Sequence, residues 1–231
     1  MKKYKAFEVI GPVMVGPSSS HTAGACKIGN AALAITEGEL FHKVVFRLHG
    51  SFASTYKGHG TDLALVAGVL NIPVDDVRLA DSFEIARKRG IDFSFEETDL
   101  GADRHPNTVE VVFYYDDGGR LSVTGSSIGG GNILIVAIND IDVEFKNEFP
   151  TLILQYKEQK GVIASISTIL TENEYNIETM VTKKVEDTVT LVTEITESVD
   201  RRILEPILND ERFEFAKYVD TMGEKREEGV C

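Results

Sequence analysis

The stretch Thr151-Leu152-Ile153-Leu154-Gln155-Tyr156-Lys157 decides how this chain is read. Leu152, Leu154 and Tyr156 fall on one side of an extended segment, Ile153 and Gln155 on the other, which is the two-residue period of a strand. Gly161 breaks the run. Val162, Ile163, Ile166, Ile169 and Leu170 then recur at helical spacing, so a helix is expected over Val162–Leu170, with Asn173 and Asn176 marking its exit. Strands are expected over Ile177–Val185 and Thr188–Ile195, joined at Glu186-Asp187. A second helix over Asp200–Leu208 carries Ile203, Leu204 and Ile207 on one face, and a strand over Phe213–Val219 closes the unit. The order is βαββαβ, a ferredoxin-like unit. Residues 222–231 are charged and are expected to form a flexible tail.

Upstream the character changes near Asn147–Pro150. The earlier part is rich in Gly, His and Ser. Strands are expected at Phe7–Ile10 and Lys43–Leu48, and helices at Thr22–Glu37, Thr61–Leu70 and Asp81–Lys88. Thr108–Tyr115 and Leu121–Ser126 pair across Asp116-Asp117-Gly118-Gly119, a hairpin signal. Asn132–Asn139 and Ile141–Phe145 add strands. The fold class expected is α/β (α+β): a mixed-sheet domain over 1–147, then the ferredoxin-like domain over 148–221.

The 231 residues are 42% hydrophobic and 26% charged, an ordinary globular composition. A net charge of −13 opposes a nucleic-acid partner, because Lys and Arg must neutralise phosphates. Met1-Lys2-Lys3 begins like a signal peptide, but Phe7-Glu8-Val9-Ile10 runs straight into Gly11-Pro12 and no apolar core follows. No apolar run reaches the roughly 18 residues that span a membrane, so a cytoplasmic chain is expected. The two cysteines, Cys26 and Cys231, cannot supply the four thiolates a cubane cluster usually takes. No Cys-x-x-Cys pair suggests zinc.

Four of the five histidines lie in stretches rich in Gly, Ser or Thr. In Gly16-Pro17-Ser18-Ser19-Ser20-His21-Thr22, three serine hydroxyls and an imidazole crowd the start of a helix. Free backbone amides there favour an anion such as a carboxylate. Capping alone needs one hydroxyl, so the set is read as functional. His49-Gly50-Ser51 follows a buried-type strand, and Gly58-His59-Gly60-Thr61-Asp62 opens the next helix. Asp103-Arg104-His105-Pro106-Asn107-Thr108 holds another His in a turn, and Ser126-Ser127-Ile128-Gly129-Gly130-Gly131-Asn132 is a Gly-rich loop without dinucleotide spacing. His42 reads as structural or solvated. No His pair stands at i, i+4 for a metal, and no G-x-S-x-G elbow marks a serine hydrolase.

Taken together, G-P-S-S-S-H-T at 16–22, H-G-S at 49–51, G-H-G-T-D at 58–62 and H-P-N-T at 105–108 resemble the beta domain of bacterial iron-sulfur L-serine dehydratases. The 149–221 unit resembles an ACT domain, through the strand, Lys160-Gly161-Val162-Ile163-Ala164 and Asn176-Ile177. This pairing of domains is similar to the two-chain form of the family, whose alpha and beta subunits are separate polypeptides. The resemblance implies dehydration of L-serine to pyruvate and ammonia, with a [4Fe-4S] cluster held by the cysteines of an alpha subunit and no metal held by this chain. It implies that Ser18, Ser19, Ser20, His21 and Thr22 are the catalytic set, facing the cluster at the subunit interface and holding the substrate carboxylate or assisting proton transfer. His49, Ser51, His59, Asp62 and Asn107 would bind substrate or support that set. Gly161, Val162, Asn176 and Ile177 would line a regulatory amino-acid site, and the ACT-like unit would join a second beta chain. The beta fold also resembles the regulatory domain of some phosphoglycerate dehydrogenases, so a free-standing amino-acid-binding regulator is the alternative.

Overall fold

The computed structural model describes residues 13–221. The strand expected at Phe7–Ile10 and the tail at 222–231 lie outside the described residues. The chain folds as two compact units, Met1–Asp140 and Ile141–Cys231.

The first unit begins with a wide helical turn, Ser19–Gly24, which runs straight into α1 (Ala25–Ile35). Strand β1 (Phe41–Leu48) follows, then α2 (Gly50–His59) and α3 (Thr61–Val69). A short 3₁₀ turn, Val77–Asp81, leads into α4 (Ser82–Lys88). Strands β2 (Asp92–Glu97), β3 (Thr108–Tyr115), β4 (Arg120–Gly129) and β5 (Asn132–Ile138) complete it. In this unit the strands lie in the order β2-β1-β3-β4-β5. β2 is parallel to β1, and the other neighbours are antiparallel, so the sheet is mixed as expected. Leu48, Val109, Val111 and Phe113 are fully buried. Gly125 of β4 lies beneath Ile28 of α1, where a Cβ would stand 2.7 Å from the isoleucine Cγ2.

α1 and α3 cross backbone to backbone. A Cβ on Gly68 would lie 2.3 Å from the Cys26 carbonyl oxygen and 2.8 Å from the Gly29 Cα. The Asn30 amide also donates to the Gly68 carbonyl at 2.8 Å. This crossing couples the two segments that open α1 and α3.

Two elements of this unit have no counterpart in the sequence reading, and one expected loop is largely strand. Gly50–His59 is a helix; of its residues only Phe52 is buried, so there is no periodic apolar stripe to reveal it. Asp92–Glu97 is a strand whose Phe93 and Phe95 face Phe83 and Phe46. The Gly-rich loop at 126–132 is the end of β4 and a tight return into β5, with Gly129 paired to Asn132.

The second unit opens with β6 (Ile141–Phe145), followed by β7 (Thr151–Lys157), α5 (Val162–Glu172), β8 (Ile177–Val185), β9 (Thr188–Ile195), α6 (Arg201–Leu208) and β10 (Phe215–Val219). From β7 on, the order is βαββαβ and the sheet runs β10-β7-β9-β8, antiparallel throughout. Leu152, Leu154, Tyr156 and Leu191 pack under Val162, Ile166, Leu170, Leu204 and Ile207. Each such burial contributes about 1.5–3 kcal/mol. The phenol oxygens of Tyr218 and Tyr175 accept from the Val199 and Asp200 amides, at 2.8 and 3.0 Å, and hold the entry to α6. Ile153 and Val192, out of phase with that core, are buried on the opposite face of the sheet. β6 packs against β9, and its Asp142 pairs with Lys183 of β8 at 2.8 Å. No helix among the described residues is long and apolar enough to cross a membrane.

Candidate functional site

Of the three serines, the first is the cap. Ser18 has extended backbone, and its hydroxyl accepts from the His21 amide at 3.1 Å. The Thr22 and Ala23 amides both reach the Ser18 carbonyl, at 2.8 and 3.3 Å. The second of these bonds spans five residues and makes the turn π-helical. The Ser19 and Ser20 hydroxyls have no hydrogen-bond partner among the described residues. Ser18→Ala should lower stability by about 1 kcal/mol, the usual worth of a cap, read as a urea midpoint. Ser20→Ala should leave that midpoint in place. Equal effects from the two would overturn the assignment of Ser18 as the cap.

His21 is half-buried, and α2 surrounds its ring. Nε2 lies 3.2 Å from the Ser51 Oγ. The Phe52 ring stands across it at 70° with centroids 5.3 Å apart, and the His59 ring lies 4.9 Å away, tilted by 40°. Residues 51, 55 and 59 share one face of a helix because they are four apart. Along that face the Thr55 hydroxyl donates to the Ser51 carbonyl at 2.7 Å, and His59 Nδ1 stands 3.3 Å from the Thr55 carbonyl. A carbonyl only accepts, so that nitrogen carries the hydrogen and His59 Nε2 is left free. Thr22 closes the set by donating to the His59 carbonyl at 3.1 Å. Burial, and then the neighbouring His59, hold the His21 pKa below its ordinary value. At neutral pH His21 is therefore an uncharged imidazole able to accept a proton.

The turn at 105–108 supports α2 from beneath. The Pro106 carbonyl accepts from the Ser51 amide at 2.8 Å and the Phe52 amide at 3.4 Å. Gly50, at φ +56°, makes this possible: a Cβ there would lie 2.7 Å from the Pro106 oxygen. Thr108 fixes the turn, donating to the His105 carbonyl at 2.6 Å and sharing a hydrogen bond with the buried Ser126 hydroxyl at 2.7 Å.

His21, Thr22, Ser51, His59 and Ser18 thus form one cluster. The remaining expected residues hold other positions. His49 Nδ1 accepts from the Leu100 amide at 3.1 Å; that nitrogen is then bare, so Asp99, 3.6 Å away, makes no ion pair through it. Asp62 accepts from the Leu63 amide at 2.9 Å at the start of α3, and burial raises its pKa. Asn107 acts through its backbone, its carbonyl accepting from Ser127 at 2.9 Å. In the second unit Gly161 is a left-handed residue preceding α5, and the Asn176 carbonyl accepts from the Thr196 amide at 3.1 Å. Ile177 opens β8, and the Val162 side chain is packed in the core. Phe52, which sequence patterning does not single out, touches His21 directly.

Cys26 is the one cysteine among the described residues. Its thiol is buried, pushed up to about 12 by that burial, and donates to the Ile72 carbonyl at 3.4 Å. No group of three or more His, Cys, Asp or Glu among the described residues is placed to hold a metal ion. A protonated, occluded thiol is no cluster ligand, so these residues do not fit an iron–sulfur centre.

The motifs of this cluster fall inside residues 7–137, which match the family model described as "Serine dehydratase beta chain". The chain belongs to the serine dehydratase beta chain family. It is 52% identical over 222 residues to the "L-serine dehydratase, beta chain" of Peptoniphilus asaccharolyticus, covering 95% of this chain and 100% of that one. It is 37% identical to the "Probable L-serine dehydratase, beta chain" of Bacillus subtilis (strain 168), over 90% of this chain and 94% of that one. A third relative, "L-serine dehydratase 1" of Escherichia coli (strain K12), is 30% identical over 70% of this chain but only 41% of its own length, so this chain matches only a part of that longer protein.

Proposed function

We propose that this chain is the beta subunit of an L-serine dehydratase, a lyase that converts L-serine to pyruvate and ammonia and is active only with an alpha subunit. The observation that carries the reading is the neutral His21 imidazole, gripped by Ser51 and His59 beside two serine hydroxyls that have no partner among the described residues. L-Serine dehydratase relatives that this chain covers along nearly their whole length support the same conclusion.

In this reading the [4Fe-4S] cluster belongs to the cysteine-bearing partner, and this chain supplies binding and proton handling. The Ser19 and Ser20 hydroxyls, at the amide-rich start of the wide turn, hold the substrate carboxylate, as helix starts favour anions. In this reading Nε2–H is the donor to the Ser51 Oγ, so that His21 Nδ1 carries the lone pair that takes a proton. Thr22, bonded to the His59 carbonyl, keeps the two imidazoles together. His49, Asp62 and Asn107 hold the surrounding backbone. The domain at 1–147 acts as the beta domain, and 148–221 acts as an ACT domain with its ligand at Gly161 and Asn176. That domain would pair with a second beta chain at β8, whose Val181 and Val185 are 55% and 59% exposed. A cytoplasmic setting suits such an enzyme.

Anaerobic coexpression with the cysteine-bearing partner tests this. The pair should release pyruvate and ammonia from L-serine, and the chain alone should release neither. A colourless chain that binds an amino acid and never yields turnover with the partner would overturn the enzyme reading in favour of a regulator.

A further inference from the structure

The aromatic contact on His21 has no role in the proton handling described above. Phe52 is fully buried, yet its ring stands across a half-buried imidazole at 70°. Ser51 precedes it and holds Nε2 of the same imidazole. The two residues are neighbours in the chain, and their amides share one acceptor, the Pro106 carbonyl, at 2.8 and 3.4 Å. Gly50 lies flat on Pro106, which no larger residue could do: a Cβ would stand 2.7 Å from the Pro106 oxygen and 2.9 Å from its Cα. The turn that offers this carbonyl is itself fixed. The His105 ring nitrogen accepts from the Asn107 amide at 3.1 Å, the Thr108 hydroxyl bonds the His105 carbonyl, and Ser127 holds the Asn107 carbonyl at 2.9 Å. Each link is short, and the chain of links ends on two contacts to one ring.

We propose that Phe52 is a positioning residue for the His21 imidazole, and that the Pro106 carbonyl sets where Phe52 and Ser51 stand. The inference rests on the reading of His21 as the proton-accepting group and deepens it. A lone hydrogen bond at Nε2 fixes one atom of a ring but leaves rotation about the Nε2···Oγ line. A second ring set across the imidazole at 70° opposes that rotation, and T-shaped aromatic pairs have a preferred geometry. His105-Pro106-Asn107-Thr108 then has a role in the site without touching substrate: it delivers a carbonyl to the start of α2. Orientation of this kind acts on the chemical step, where small misplacements of a reacting group are costly. Binding of the substrate carboxylate falls to other atoms.

The test is Phe52→Leu in the full beta chain, which keeps an apolar side chain and removes the ring. Two readouts are taken. Nitrogen-15 histidine spectra of the chain should show one dominant His21 tautomer, Nε2–H, in the parent and a mixture in the variant. In the assembled enzyme kcat should fall about tenfold while KM stays within about twofold, the pattern of a lost orientation. Phe52→Met, whose flexible thioether fills irregular gaps, serves if the leucine variant does not fold. Lower thermal stability with an unchanged tautomer and unchanged kcat per folded enzyme would overturn the proposal and leave Phe52 as core. Failure of the site reading itself looks different: His21→Ala would then be nearly as active as the parent, whatever Phe52 does.

Discussion

Replacing His21 by alanine is expected to lower kcat/KM for L-serine about 100-fold or more in the assembled enzyme, the range of a lost acid–base group. The chain should still fold. The backbone amide that bonds Ser18 is retained, and the ring is only half-buried, so its removal opens no sealed core cavity. If His21 served only to anchor the carboxylate, the loss would lie in KM with kcat little changed. The pH dependence separates these further. Burial, then His59, lowers the folded-state pKa of His21 from its ordinary 6.5. The folded chain therefore binds this proton less readily than the unfolded chain. The corresponding stability is fully present above about 6.5 and is lost as the pH falls through the folded value. The acid limb of kcat/KM should accordingly lie below 6.5, and the matching loss of stability should vanish in His21→Ala. Near-normal kcat/KM in the variant would sink the active-site reading and reduce the segment to a helix cap.

Gly68→Ala should be the most destabilising single methyl in the first unit, at about 3 kcal/mol, the upper part of the overpacking range. The added Cβ would sit 2.3 Å from the Cys26 carbonyl oxygen, 2.8 Å from the Gly29 Cα and 2.9 Å from the Asn30 amide nitrogen. All three neighbours are backbone, so no side chain can swing aside, and α1 and α3 must part. Parting them also strains the Asn30–Gly68 hydrogen bond and shifts the segment carrying His21, so activity should fall with stability. Gly58→Ala is the control. It meets nothing within 4 Å, and alanine in an exposed helix should stabilise by about 0.5 kcal/mol. The measurement is the urea midpoint of each full-length beta chain. A Gly68→Ala midpoint equal to the parent's would show that the helices are not in backbone contact.

The second unit was legible because each strand has one face packed on helices, so the alternation from Thr151 to Lys157 is written into its residues. From β7 on, its strands and helices lie within a few residues of the expected bounds. The first unit was legible where it has the same property: Thr108–Tyr115 has the bounds its alternation gives it. Asp92–Glu97 carries the same alternation, but a single Phe-Ser-Phe between charges is too short to stand out. Gly50–His59 was illegible for a deeper reason. Its start is fixed by a carbonyl 55 positions away, the distance from Ser51 to Pro106, and by a positive φ that only contact with that carbonyl explains. The site residues were legible as types. Ser, His and Thr in Gly-rich stretches pointed to His21, Ser51 and His59, whereas the partner Phe52 looked like any buried aromatic. The division of labour among the serines, one capping and two free, depends on where the turn begins, which local spacing alone did not reveal.

The wide turn at Ser19–Gly24 makes this geometry a matter of counting. A π turn accommodates one more residue than an α turn, and each residue of an α-helix rotates the chain by about 100°. Were all six residues of 19–24 kept but tightened into ordinary helix, every residue ahead of the turn would swing by about 100° relative to α1, and the side chains at its start would turn away from Ser51 and Phe52. Removing one residue as the turn tightens would cancel most of that swing, because the wide turn holds that residue as an extra. Two related chains with the same serines and histidine would therefore share this site only where the width of the turn matches the number of residues between the histidine and α1.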